Sequence, residues 1–206
     1  SWKFSFRPDL VWVLKSSSPA LNRWVQGRPY QRYAGSPLKP MQKAEKSDLR
    51  RILRAKRSAI PSSEKPTLAR LAAENSQDLL KPHAKIGLYF ATNEELDTRA
   101  LAEQLWLDCK AVYLPVIHPS RKLSFRLWTQ DTKLTLSRLK TYEPEPIGLE
   151  LSAHELDALI IPLVGFDQSR ARLGIGGGFY DTTLARTETE TETETETETE
   201  TETETE

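Results

Sequence analysis

Ala158-Leu-Ile-Ile-Pro-Leu-Val164 is followed, after a short polar connection, by Arg172-Leu-Gly-Ile-Gly-Gly-Gly-Phe-Tyr-Asp181. The first stretch carries no charge and reads as a strand buried on both faces. The second holds four of the chain's nine glycines and leads into Thr182–Arg186, which can begin a helix. A glycine-rich turn behind a strand lets backbone N–H groups approach phosphate oxygens without interference from Cβ atoms. A helix N-terminus behind it adds partial positive charge. Arg172 can grip a phosphate with two parallel hydrogen bonds, and Asp181 is a hard oxygen ligand of the kind Mg2+ takes beside phosphates. The run is no P-loop, since no Gly-Lys-Ser/Thr follows the glycines, and it lacks the ribose-binding acid of a dinucleotide fingerprint. On spacing alone, a tight turn needing positive φ stands as an equal reading.

Outward from this stretch, further apolar runs at 84–90 (AKIGLYF) and 111–117 (AVYLPVI) read as strands, and 123–128 as an alternating strand. Between and before them the period is helical. Leu49, Ile52, Leu53 and Ile60 mark a helix from about 43 to 60, and Pro61 ends it. Lys46, Arg50, Arg54 and Arg57 form a cationic stripe on another face of that helix. A second helix, 66–80, is expected to bury Leu68, Leu71, Ala72 and Leu79. A third, capped by Asp97 or Thr98, places Leu101, Leu105 and Trp106 inward. Residues 129–157 read as polar loop. The pattern predicts an α/β fold of three layers, a mostly parallel central sheet flanked by helices.

The chain has 206 residues, with 29 Lys+Arg against 29 Asp+Glu. That balance hides three different pieces. Residues 187–206 are ten Thr-Glu repeats, expected to be a disordered tail because no apolar residue offsets the entropy of ordering. Residues 1–40 hold seven basic groups and one acid. They read either as a basic targeting peptide or, better, as an extension outside the native protein upstream of Met41, since five prolines interrupt any helix there. Residues 41–186 form the expected domain, with 22 basic and 18 acidic groups. No apolar run approaches the roughly 18 residues needed to span a bilayer. The single cysteine, Cys109, is read as a packing residue. His83, His118 and His154 are scattered and read as surface groups rather than a zinc site.

Three motifs in order resemble the 5-formyltetrahydrofolate cyclo-ligase family, also called methenyltetrahydrofolate synthetases. ARLGIGGGFYD after LIIPLVGFDQSR is similar to the family's Arg-Leu-Gly-x-Gly-x-Gly-aromatic-Tyr-Asp motif. Lys46-Ser47-Asp48-Leu49-Arg50 resembles its Lys-x-x-Leu-Arg, with Arg54 and Arg57 following. Phe90 through Thr98 (FATNEELDT) resembles its substrate loop. The resemblance covers Met41 to about Arg186.

It implies ATP-dependent closure of 5-formyltetrahydrofolate to 5,10-methenyltetrahydrofolate, with release of ADP and phosphate. In that chemistry the formyl oxygen attacks the γ-phosphoryl group, and the neighbouring nitrogen then attacks the resulting iminophosphate carbon. By the same resemblance, ATP would be bound by Lys46, Ser47, Asp48, Leu49, Arg50, Arg172, Leu173, Gly174, Ile175, Gly176, Gly177, Gly178, Phe179 and Tyr180. Folate would meet Phe90 and Glu95, together with Ile175 to Phe179. Arg172 would be catalytic and Asp181 a Mg2+ ligand. A cytoplasmic monomer with a small-molecule substrate, and no nucleic-acid or membrane partner, is expected. The family continues past the glycine run with one more strand and a second acidic metal ligand. Here Thr-Glu repeats stand in their place, so the last strand is expected to be missing. The alternative reading is therefore a non-catalytic relative that only binds nucleotide or folate.

Overall fold

A computed structural model describes residues 13–15 (backbone only), 42–92, 94–166 and 172–185. The rest of the 1–40 extension, the Thr-Glu tail and the expected loss of a last strand lie outside the described residues. In chain order come β1 (Val13–Lys15), α1 (Lys43–Ser58), α2 (Lys65–Leu80), β2 (Lys85–Gly87), α3 (Arg99–Leu107), β3 (Ala111–Ile117) and β4 (Leu123–Leu127). β5 (Leu134–Leu136), β6 (Tyr142–Pro144), β7 (Glu150–Leu151), β8 (Ala158–Ile160), β9 (Gly165–Phe166), β10 (Arg172–Leu173) and α4 (Phe179–Leu184) follow.

Six strands form one sheet in the order β1-β8-β2-β3-β4-β7. Its centre is parallel, with Ile86 opposite both Val112 and Ala158. The flanks are antiparallel: β4 returns from β3 as a hairpin, β7 pairs with β4, and β1 pairs with β8. β1 falls within the segment that the sequence sets apart from the domain.

The strands are apolar on both sides because both sides are covered. Along β8, Ala158 and Ile160 join Ile86, Val112 and Leu114 beneath α2 and α3. Leu159 points the other way, into a cluster with Phe125, Leu156 and the partly buried Phe179 and Tyr180 of α4. This alternation is the two-residue period of a strand. The expected class and the helices on both faces are what the chain adopts.

Helix α2 departs from the expected face. It buries Ala69, Ala72, Ala73, Ser76 and Leu80, while Leu71 and Leu79 are exposed. Small residues at helical spacing let α2 approach α3 closely, and that close approach outweighs the extra apolar area of the leucines. Residues 129–157 are not a plain loop: β5 and β6 pair as a separate hairpin. Buried Arg126 ties that hairpin to the sheet, donating to the Pro144 carbonyl at 2.6 Å and pairing with Glu150. His83 is buried rather than superficial. Cys109 is exposed, with φ +55°, and ends α3 in a left-handed turn instead of packing inward.

Asp157 fastens the start of β2. Its Oδ2 accepts from the backbone N–H groups of Ala84 and Lys85, both at 2.8 Å. The Lys85 N–H, and with it that of Ala84, holds the Asp157 carboxyl below the usual carboxylate range against the opposing effect of burial. A folded-state pKa below the unfolded one contributes stability above the unfolded value, and this is lost as pH falls through the folded value. Asp157→Ala should therefore lower stability by about 1 kcal/mol at pH 7. Urea titrations should show the gap to wild type closing as the pH falls below the ordinary carboxylate range.

Candidate functional site

The carboxyl ends of β2 and β8 lie side by side, and the chain leaving each builds one wall of a large cavity. After β2 come Tyr89, Phe90 and the loop to Thr98; after β8 come Ile161 and Val164. α1 and α2 supply further walls through Leu53, Arg57 and Ala69. The volume is about 1140 Å3, just above the roughly 300 to 1,000 Å3 of small-molecule pockets.

Phe90 and Glu95 both line this cavity. The Phe90 ring sits 5.9 Å from Trp128, edge on, and 5.1 Å from Tyr142 of β6. Trp128 in turn meets Trp106, whose indole N–H donates to the Trp128 carbonyl at 2.9 Å. Glu95 turns one oxygen back on its own loop, accepting from the Thr92 N–H at 2.8 Å and the Thr92 hydroxyl at 2.9 Å. Thr98, the N-cap of α3, donates its hydroxyl to the Tyr89 carbonyl at 2.5 Å. The loop is thus pinned at both ends.

The glycine run lies beyond this cavity and shares a wall with it. The Val164 N–H donates to the Leu173 carbonyl at 2.8 Å, so the chain bordering the cavity is bonded to β10. Gly176 and Gly178 have φ +105° and +72°, the left-handed region that glycine alone enters without strain. At Gly177 a Cβ would stand 2.8 Å from the Phe179 ring. The helix behind the run, α4, has only six residues. The loop's own N–H groups and the nearby arginines are therefore its main sources of positive potential, more than the short helix.

The cationic stripe of α1 meets this run. Arg50 Nε donates to the Gly174 carbonyl at 2.8 Å, and its guanidinium carbon would lie 3.5 Å from a Cβ at Gly176. Arg57 reaches the cavity side instead, donating to the carbonyls of Leu163 at 2.7 Å, Val164 at 3.0 Å and Glu94 at 3.1 Å. Lys46, one turn before Arg50, and Leu49, next to it, are half-buried, whereas Ser47 and Asp48 are exposed and Asp48 faces Arg51 at 3.5 Å. Arg172 donates to the Pro162 carbonyl at 3.4 Å and pairs with the carboxylate of exposed Asp181. Ile175 is exposed.

Tyr89 lines the cavity and Tyr180 follows the glycine run. Burial pushes both hydroxyls far above the ordinary tyrosine range, so each stays a neutral donor. Tyr180 lies in the field of Tyr89 and Glu95 from the cavity side and of Arg172 from the glycine side. The structure therefore brings together Arg50, Arg172 to Asp181, Phe90 and Glu95, and leaves Ser47 and Asp48 at the outer margin. Among the described residues no group of three or more His, Cys, Asp and Glu is placed to hold a metal. Sequence reasoning did not single out Tyr89, Tyr142 or the carbonyl-binding role of Arg57. The helical spacing of Arg57 from Arg50 was the signal for one of these, and nothing local marked Tyr142.

Arg57→Ala removes three bonds that join α1 to the cavity wall. The expected cost is about 2–3 kcal/mol, read from the denaturant midpoint, with Arg57→Lys recovering only part because ammonium cannot reproduce the fork.

A model of the 5-formyltetrahydrofolate cyclo-ligase family matches residues 42–202. The 5-formyltetrahydrofolate cyclo-ligase of Escherichia coli (strain K12) is 37% identical over 139 residues, 65% of this chain and 76% of that protein. That of Haemophilus influenzae is 45% identical over 102 residues, 48% of this chain and 54% of its own length. Among solved structures, Aquifex aeolicus 5,10-methenyltetrahydrofolate synthetase superposes with a TM-score of 0.60 at 28% identity, covering 69% of this chain and 73% of that one. The chain belongs to the 5-formyltetrahydrofolate cyclo-ligase family.

Proposed function

We propose that this chain uses ATP to close 5-formyltetrahydrofolate into 5,10-methenyltetrahydrofolate, releasing ADP and phosphate. The observation that carries this reading is the hydrogen bond from Arg50 to the Gly174 carbonyl. It sets a cationic helix against a glycine run beside a cavity of about 1140 Å3, a triphosphate site next to room for a ring system. The reading takes residues 41–186 as the catalytic domain, acting as a monomer in the cytoplasm.

The residues present fit a nucleoside triphosphate. Lys46, Arg50 and Arg172 supply charge, and the glycines supply N–H groups free of Cβ atoms. They also fit Mg2+ that arrives on the nucleotide, because such a metal takes only one or two protein carboxylates. Asp181 would be that ligand, once Arg172 exchanges its carboxylate for a phosphate oxygen. Bound there, Mg2+ would offset charge on the phosphates.

Phosphoryl transfer asks little covalent chemistry of a protein and much positioning. Phe90 and Glu95 would orient the folate, with the ring system against the aromatic pair and the carboxylate accepting from its amino groups. The formyl oxygen attacks the γ-phosphorus and ADP leaves. The neighbouring nitrogen then attacks the formyl carbon, its N–H proton passes to solvent, and phosphate leaves. Tyr89 lines the cavity beside Phe90 and Glu95 as a neutral hydroxyl.

Incubation with 5-formyltetrahydrofolate and MgATP should raise the methenyl absorbance, strictly dependent on ATP. Binding of ATP without turnover would instead support the non-catalytic alternative. Arg172→Ala should lower kcat/KM by about 100-fold or more while the melting temperature stays near wild type, since its partner Asp181 is exposed. Unchanged turnover in that variant would remove Arg172 from the mechanism.

A further inference from the structure

The turn between β3 and β4 carries Arg121 at φ +63°, a left-handed conformation that glycine adopts without strain and arginine does not. The side chain at this strained position crosses to the glycine run. Its Nη2 donates to the Gly177 carbonyl at 2.5 Å, and its guanidinium carbon lies 5.9 Å from the centroid of the Phe179 ring.

The peptide group joining Gly177 to Gly178 has no Cβ on either side, so local sterics leave its plane free to turn. In a trans peptide the C=O and N–H point in opposite directions, and no cis bond occurs among the described residues. Engaging the Gly177 carbonyl therefore also sets where the Gly178 N–H points. Arg50 does the same to the group after Gly174. The two arginines come from different elements, α1 and the β3–β4 turn, and hold the run at two carbonyls. The N–H groups of Ile175 and Gly178 consequently face away from them.

We propose that Arg121 is a positioning residue for nucleotide use. It fixes the Gly177–Gly178 peptide so that the run meets a nucleoside triphosphate already ordered, and it needs no contact with the phosphates. This assignment rests on the ATP reading above. It predicts a larger effect on ATP than on folate, because Arg121 is absent from the cavity wall that Phe90 and Glu95 line.

Arg121→Gly separates function from folding, since it removes the side chain and relieves the backbone strain together. Calorimetric titration of the full chain with MgATP should show binding weakened about tenfold. The KM for 5-formyltetrahydrofolate should stay within about twofold, and the far-UV circular dichroism should match wild type, since the relieved strain offsets part of the lost bond. Arg121→Lys should fall between the two, because it keeps a donor for Gly177 but not the planar contact with Phe179. Wild-type ATP affinity in Arg121→Gly, equal losses for ATP and folate, or no recovery in Arg121→Lys would each overturn the assignment. A wild-type chain that binds MgATP yet yields no methenyl product overturns the parent reading alone, since the affinities still report on Arg121. A wild-type chain that binds no MgATP overturns both.

Discussion

Hydrogen bonds from arginines to main-chain carbonyls hold this molecule's site together. Helix α1 contains no buried residue, and Ile52 on its apolar side is 45% exposed. Burial of apolar area cannot anchor such a helix. Arg50 and Arg57 do so instead, through the carbonyls of Gly174, Leu163, Val164 and Glu94. A bond from a charged donor contributes about 1.5–3 kcal/mol, and each carbonyl left without a partner carries a desolvation cost. The carbonyls concerned lie past the ends of β2, β8 and β10, where the sheets have stopped supplying partners. The cationic stripe is thus first an architectural device. Among the described residues Arg50 uses only Nε, on Gly174, which leaves its two terminal nitrogens for an anion.

The sheet explains why the site lies where it does. β2 and β8 are neighbours and parallel, so their carboxyl ends open on the same side, and chains leaving them diverge over opposite faces. A crevice at that point is the general consequence for open α/β sheets. Here its two lips are the Phe90–Thr98 loop and the Ile161–Val164 segment. The Val164 bond to Leu173 then carries the second lip directly into the glycine run. The antiparallel flanks add what the parallel centre cannot. Through Arg126 the sheet holds the β5–β6 hairpin, which sets Tyr142 against Phe90, and the β3–β4 turn reaches Gly177.

What the sequence revealed follows from which signals are local. Runs such as Ala111–Ile117 announce strands because both faces are buried, and four glycines in five positions announce a backbone conformation directly. The α2 face was hidden because apolar size and helix packing point to different stripes, and alanines won over leucines. The hairpin at 134–144 was hidden because two of its strands pair only with each other and one face stays wet, so few apolar positions mark it. The double use of the α1 arginines was hidden for another reason. A stripe of cations has the same spacing whether it meets water, phosphate or carbonyl oxygen, and only the carbonyls past β2, β8 and β10 decide among these.

The glycine run poses an opposite problem, since it is easily read and poorly self-supporting. Residues without side chains free the backbone to approach a ligand, yet they also leave it with the largest conformational entropy to lose. Bracing must come from elsewhere, and α4 provides it at one end. Thr183 receives the Leu123 N–H at 2.8 Å and donates to the Phe179 carbonyl at 2.7 Å, tying the short helix to the sheet. Phe179 and Tyr180 pack on the core cluster beneath, which stops the run from swinging outward. The same packing keeps the Tyr180 hydroxyl out of water, which pushes its pKa far up. A phosphate at the glycines and a ring in the cavity would then border one joined segment, through the bond from the Val164 N–H to the Leu173 carbonyl.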